Sequence, residues 1–550
     1  MLLLVLAMTA ALGAAPQQPS TGEPAMPSMP IDARPATLIP GIQGVNFPIS
    51  TRRQEAQQFF NQGLALVYAF NHDEAIRSFR RAAEVDPGSP MPWWGMALAL
   101  GPNINQEISP EREKAAFEAI QRAQALAVRA PAKERAYVAA LARRYSDAPT
   151  PDLQALAVEY KDAMRQLTRT YPNDNHAATL YAEALMDLRP WALYTADGSP
   201  VEGTKEIVEV LERVLDREPD HVGANHLYIH ATEASLTPER AMKSAKKLET
   251  LVPAAGHLVH MPSHTYMRTG NYAAAAAANA KAAEVDRKYI ADTGATGFYP
   301  AMYYNHNLDF LASAAMMAGR YAEALTAAKE ATANITPLVG EMPMLEPLAA
   351  KTTFVLIRFA KWNDLLALPA PPAHAKILTA LHHWGRGVAH GALGHTADAE
   401  RERDAYVAAR RAVPEGTLYN LNPASRIFAV ADAVLDARIA QGKGDSAAAI
   451  EAWRRAVTAE DAISYNEPPD WFYPTRESLG AALLKAKKYE EADLIFREDL
   501  ERNPGNGRSL WGRWQALRAQ DGDVPNTLVV RRRWQDAWND ADTVLRLEDL

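Results

Sequence analysis

The sequence predicts an all-α solenoid of helix-turn-helix hairpins, and three observations carry that expectation. The 550 residues are rich in Ala, Leu, Glu and Arg, which are good helix formers. Pairs of amphipathic segments recur at a period near 34 residues, the spacing of stacked helical hairpins. Prolines such as Pro87, Pro172, Pro219, Pro253 and Pro504 close many of these units, at points where a helix cannot continue through them. Each hairpin leaves one apolar face for the next to cover. The stack therefore builds a continuous core and a curved groove, free of the usual ceiling on domain size.

Residues 56–89 show the unit most plainly. Two amphipathic segments meet at Asn71-His72, with Gly63 and Ala75 where the helices approach closely, Phe79 and Ala82 facing the partner helix, and Pro87 at the close. This pattern resembles the tetratricopeptide repeat (TPR) family, which implies a right-handed TPR-type α-solenoid. Further units are expected at 222–255, 256–289 (Gly270, Tyr272, Ala275, Ala282), 305–338 (Gly319, Tyr321, Ala324, Ala331) and 473–506 (Gly480, Tyr489, Ala492, Phe496, Pro504). The blocks NHLYIHATEAS and GHLVHMPSH resemble those of a group of exported bacterial TPR proteins. That likeness implies fold and use of the groove, and it transfers no activity.

Residues 1–15 join an apolar run to small residues and read as a secretory signal peptide, although no Lys or Arg precedes the run. The expected location is periplasmic or secreted, with no transmembrane anchor after signal removal, because no later stretch has the roughly 18 apolar residues a span needs. Residues 16–50 hold eight prolines in a polar setting and read as a disordered linker. The folded solenoid is then expected over 51–550. With 58 basic against 66 acidic residues and a net charge of −8, no basic face for nucleic acid is expected. The absence of cysteine excludes disulfides and thiolate metal sites.

Six of the fourteen histidines fall between residues 221 and 264. His226 and His230 are four apart, as are His260 and His264, so on a helix each pair leaves one face. The pairs themselves lie 34 residues apart, one repeat. With units starting at 222 and 256, both pairs fall where the TPR resemblance places the groove-lining face. Neighbouring helices pack with axes about 8–10 Å apart, close enough for imidazoles from two of them to share an ion with metal–nitrogen distances of about 2.0–2.1 Å. Glu233, His257 and His306 join them as reserve ligands, His257 and His306 because they begin their units and Glu233 because it follows His230 by three. Imidazoles suit Zn, Cu, Ni or Fe; no nucleotide-binding loop is present. Four imidazoles would fill a structural site, whereas three would leave an open position. Pro262 leaves the placement of His260 open, since a helix starting at Met261 or Pro262 would put His260 on the approach.

Three functional classes follow. The first is an exported TPR protein whose concave groove carries a histidine-rich transition-metal site, with His226, His230, His260 and His264 as ligands. The second is a metal-free scaffold holding a peptide or envelope protein in the groove. The third is a metal-dependent enzyme in which Glu233 or His306 handles protons. No established catalytic motif is present: the residues inside the histidine pairs are Leu-Tyr-Ile and Met-Pro-Ser, so the glutamate of a zinc-protease helix is missing. Trp94 could stack a ligand or fill the core. The loop NEPPDWFYPTRES at 466–478 could border the site from across the groove or be a structural corner.

Overall fold

The computed structural model describes residues 34–550; the expected signal peptide and residues 16–33 of the expected linker lie outside that range. The chain is an all-α, TPR-like stack of hairpins, and its strands among the described residues are Leu418–Tyr419 and Asn422–Pro423. The first hairpin pairs Gln54–Val67 with His72–Val85. Asn71 caps the second helix by accepting from the backbone N–H of Glu74, satisfying one of the donors that a helix start leaves open.

Glycine sets the repeat. Phe79 is fully buried between Gly63 of its own hairpin and Gly95 of the next, and a Cβ on either glycine would overlap its ring. Phe496 stands in the same way between Gly480 and Gly512. The closest helix approaches at both ends of the stack thus depend on an absent side chain facing an aromatic one.

The expected units are realised as Val222–Thr232 with Met242–Leu251, Gly256–His260 running on into Pro262–Arg268 with Tyr272–Thr293, Asn305–Met317 with Tyr321–Ile335, and Thr475–Lys485 with Tyr489–Arg502. A short π-helical stretch, Pro300–Tyr304, leads into the third.

Residues 34–50 are not a disordered linker. Ala36, Ile42, Val45, Phe47 and Ile49 are all buried, and Phe47 packs on Phe60, Trp94 and Tyr137. The backbone of this strap is held by glutamine and asparagine side chains of the first helix: Ile39 and Ile49 donate to Gln62 and Gln57, and Phe47 to Asn61. Its few apolar residues suffice because they enter grooves between hairpins that are already formed. Trp94, 1% exposed and stacked on Phe47, fills this core and is not available to a ligand.

The apolar interior forms two large clusters. One runs from Ala36 through Met261 and takes in Tyr299 and Tyr303; the other runs from Tyr266 to Leu550. Each half curls back on itself. The turn after the first helix places Phe70, at φ 55°, against rings of the 222–260 region. In the other half, Gly270 meets the backbone of Pro504 and Gly505, and Trp538 covers Gly319. The seam between the two clusters runs through residues 256–310, where His257, His260, His264 and His306 stand. Among the described residues no helix is long and apolar enough to cross a membrane.

Candidate metal centre

His226 and His230 leave one face of Val222–Thr232, as four-residue spacing requires. His257, His260 and His264 come from the broken helix that follows. Its break costs little: Met261 keeps helical angles and Pro262 occupies the first position of the second segment, where the missing N–H is no loss. His260 therefore does not sit on an approach to the helix. Its Nε2 lies 2.8 Å from Nε2 of His264. His306 stands on Asn305–Met317 with its ring 4.8 Å from that of His260.

The expectation that His226, His230, His260 and His264 converge on one point is corrected. Among the described residues, ligand atoms within 4.8 Å of one another form the sets His226–His230–His257 and His260–His264–His306, with His230–Glu233–His264 across the seam. One ion binding at about 2.1 Å cannot hold nitrogens much more than 4.2 Å apart, so the four do not share one. The cause is the extra turn contributed by His257: it meets His226 directly, Nε2 to Nε2 at 3.1 Å, and draws that pair away from His260 and His264.

Outward hydrogen bonds fix which nitrogen of each ring faces inward. His226 Nδ1 donates to the carbonyl of Tyr68 at 2.7 Å. His230 Nδ1 donates to Glu233 Oε1 at 2.7 Å, and His264 Nδ1 donates to Glu233 Oε2. His260 Nδ1 donates to Asn279 Oδ1 at 2.6 Å, and the Asn279 amide is oriented by its own donation to the Ala275 carbonyl. A ring that donates from Nδ1 when neutral presents a lone pair at Nε2. Carboxylate, amide and carbonyl partners behind the rings are the usual outer shell of metal-bound histidine. His230 Nε2 and His257 Nδ1 are buried with no hydrogen-bond partner.

The surroundings are dry and aromatic. Phe70 lies edge-on to His226 with ring centroids 4.5 Å apart, and Phe310 lies 5.0 Å from both His260 and His264. His226 and His260 are fully buried, whereas His306 is only half-buried. Burial drives His226, His257 and His260 well below the ordinary imidazole value, helped by neighbouring rings. It also pushes His306 down to about 3. Burial works against both charges of the Glu233–His264 pair, but mutual attraction outweighs it. His264 is raised, and Glu233, held also by His230, lies well below the usual carboxylate range. Low values keep imidazoles neutral and so able to bind a cation.

A cleft opens onto His230 and Glu233, lined by Ile104, Met186, Arg189, Trp191, Leu193, Tyr194, Ala234 and Tyr465. Trp191 meets His230 edge-on at 5.5 Å. Tyr465, next to the aromatic loop, donates to Glu233 at 3.1 Å from the opposite half of the chain. Glu467 follows, and burial pushes it up to about 7 despite Arg268 and His264 nearby. The rest of the loop is a structural corner: Phe472 stacks on Phe354 at 4.4 Å and Trp471 packs on Trp384.

No family model and no curated protein matches the chain. Among solved structures, the human IFIT1 dimer with m7Gppp-AAAA shares 13% identity, with 90% of this chain and 92% of that chain covered at a TM-score of 0.34. The human IFIT1 dimer with PPP-AAAA shares 12% identity over the same fractions at 0.33. Likeness at that level extends to neither the site nor its ligand.

Sequence reasoning singled out the six histidines and Glu233, which the structure brings into neighbouring groups, and it missed their supports. Asn279 had a visible signal: it is the one polar residue within Ala273–Ala280 and is fully buried. Phe70, Trp191 and the Tyr68 carbonyl reach the site through long-range packing and leave no local mark, whereas Phe310 follows His306 by four on one helix.

Proposed function

We propose that this is an exported TPR-like protein that holds a transition-metal ion at the seam between its two halves, on His260, His264 and His306. One observation carries the reading. Nε2 of His260 and Nε2 of His264 face each other at 2.8 Å while each ring has an acceptor at Nδ1. Two neutral rings would bring lone pairs together there. Two nitrogens bound to one ion lie roughly 2.9–3.4 Å apart at right-angled to tetrahedral geometry, close to the observed spacing. The donor set suits zinc, copper, nickel or ferrous iron. Glu233 orients His264 from behind and supplies the negative charge that favours a cation.

The raised affinity of His264 for a proton favours a second reading. A protonated His264, paired with Glu233, would donate from Nε2 to His260 and satisfy the same geometry in a metal-free scaffold. Elemental analysis of untagged protein separates the two. Stoichiometric metal that falls in His264→Ala at unchanged helicity supports the ion, whereas purified protein with no such metal, and none acquired on incubation with Zn2+ or Cu2+, leaves the imidazolium pair.

A further inference from the structure

We infer that the protein binds a second transition-metal ion on His226, His230 and His257, and that this ion is the one open to ligands from the cleft. The inference rests on the metal reading of His260, His264 and His306 but concerns different residues.

The two sets share no ring, so an ion on one leaves the nitrogens of the other unused. Those nitrogens are prepared in the same way. His226 is tied by Nδ1 to the Tyr68 carbonyl and His230 by Nδ1 to Glu233, at 2.7 Å in each case, which points both Nε2 atoms inward. His257 Nε2 is 3.1 Å from His226 Nε2, within the span expected of two ligands on one ion. The orphaned nitrogens settle the matter. A polar atom left unpaired in a buried site is costly, and here His230 Nε2 is unpaired although the ring is 6% exposed and its other nitrogen is held. A proton shared between His226 and His257 would satisfy that pair and leave His230 Nε2 with nothing. An ion takes the Nε2 of all three rings, His230 included, and leaves only the buried Nδ1 of His257 without a protein partner.

Glu233 serves both sets, taking Nδ1–H of His230 on one oxygen and Nδ1–H of His264 on the other. One carboxylate thereby orients a ligand of each ion. The two sets differ in access, since His230 and Glu233 border the cleft. Three imidazoles leave a fourth position for water or an exogenous ligand. Arg189 at the cleft and the rings of Trp191, Tyr194 and Tyr465 suit a small anion with an apolar body.

The test is metal stoichiometry of the full chain, stripped with chelator, reloaded with Zn2+, desalted and assayed for metal per chain. Two ions are expected in the wild type and one each in His226→Ala/His257→Ala and His260→Ala/His264→Ala, with helicity followed by circular dichroism. If a double variant loses helicity, His226→Gln takes its place and is expected to lower occupancy from two to one. A wild-type count of one that either variant abolishes overturns the second ion and leaves the first reading standing. A count of zero overturns both, and two ions retained in His226→Ala/His257→Ala overturns this assignment. A cobalt-loaded sample is expected to change its visible spectrum with benzoate, and a spectrum indifferent to benzoate and azide would overturn the open position.

Discussion

Two groups of histidines lie near each other and behave differently. His176 and His221, away from the seam, account for every ring nitrogen. His221 Nδ1 accepts from the Ala224 backbone, and its Nε2 donates to His176 Nδ1, whose single lone pair the Tyr68 hydroxyl also approaches at 3.0 Å. His176 Nε2 donates to the Asn46 carbonyl. At the seam, by contrast, His230 Nε2 and His257 Nδ1 have no partner, and His260 and His264 meet nitrogen to nitrogen. Burial alone does not mark a metal centre. What distinguishes the seam is unpaired nitrogen on rings gathered in threes, since His72 Nδ1 is also unpaired yet stands in no such group.

The comparison can be broken by experiment, beginning with the largest effect. Glu233→Ala removes the carboxylate behind two rings and is expected to weaken metal binding about 10–100-fold or more, whereas His176→Ala should leave metal content unchanged. Equal losses in the two variants, measured by competition with a chelator, would erase the distinction. Removing metal from the wild type is expected to lower stability by about 2.7 kcal/mol relative to a sample at 100 times the dissociation constant, seen as a lower melting temperature; His176→Ala should show the same metal-dependent shift from a lower baseline.

His176→Ala itself is expected to cost about 1–3 kcal/mol by leaving His221 and Tyr68 without their buried partner, read from urea unfolding. The smallest effect concerns pH. Burial, aided by His176, pushes His221 down to about 3 from 6.5. The folded state therefore binds fewer protons than the unfolded state between those values. The contribution of His221 is fully present above pH 6.5 and is lost as pH falls toward 3. His221→Gln should make the acid slope of stability shallower over that window, and an unchanged slope in urea titrations would remove His221 from the account.

The architecture was legible because hairpin repeats are local. Gly63, Phe79 and Pro87 state a unit within one window, and Gly480, Phe496 and Pro504 state it again. Helix periodicity likewise brought His226 with His230 and His260 with His264. The grouping was not legible, because it depends on how far one helix slides past the next. His257 entered the site ahead of His260 as the partner of His226, and the turn carrying Phe70 came in from 156 residues upstream of His226. The strap at 34–50 was misread for a related reason. Its composition is that of a segment unable to make a core of its own, and composition carries no word of a groove already built by other residues.

The position of the histidines between the two apolar clusters carries a mechanical consequence. In the proposed function, an ion held by His260 and His264 of the Gly256–Arg268 stretch and by His306 of Asn305–Met317 would rivet together the bodies on either side of the seam. Calorimetry of the stripped protein should then resolve two overlapping heat-absorption peaks, one for each body, and metal loading should fuse them into a single sharper event.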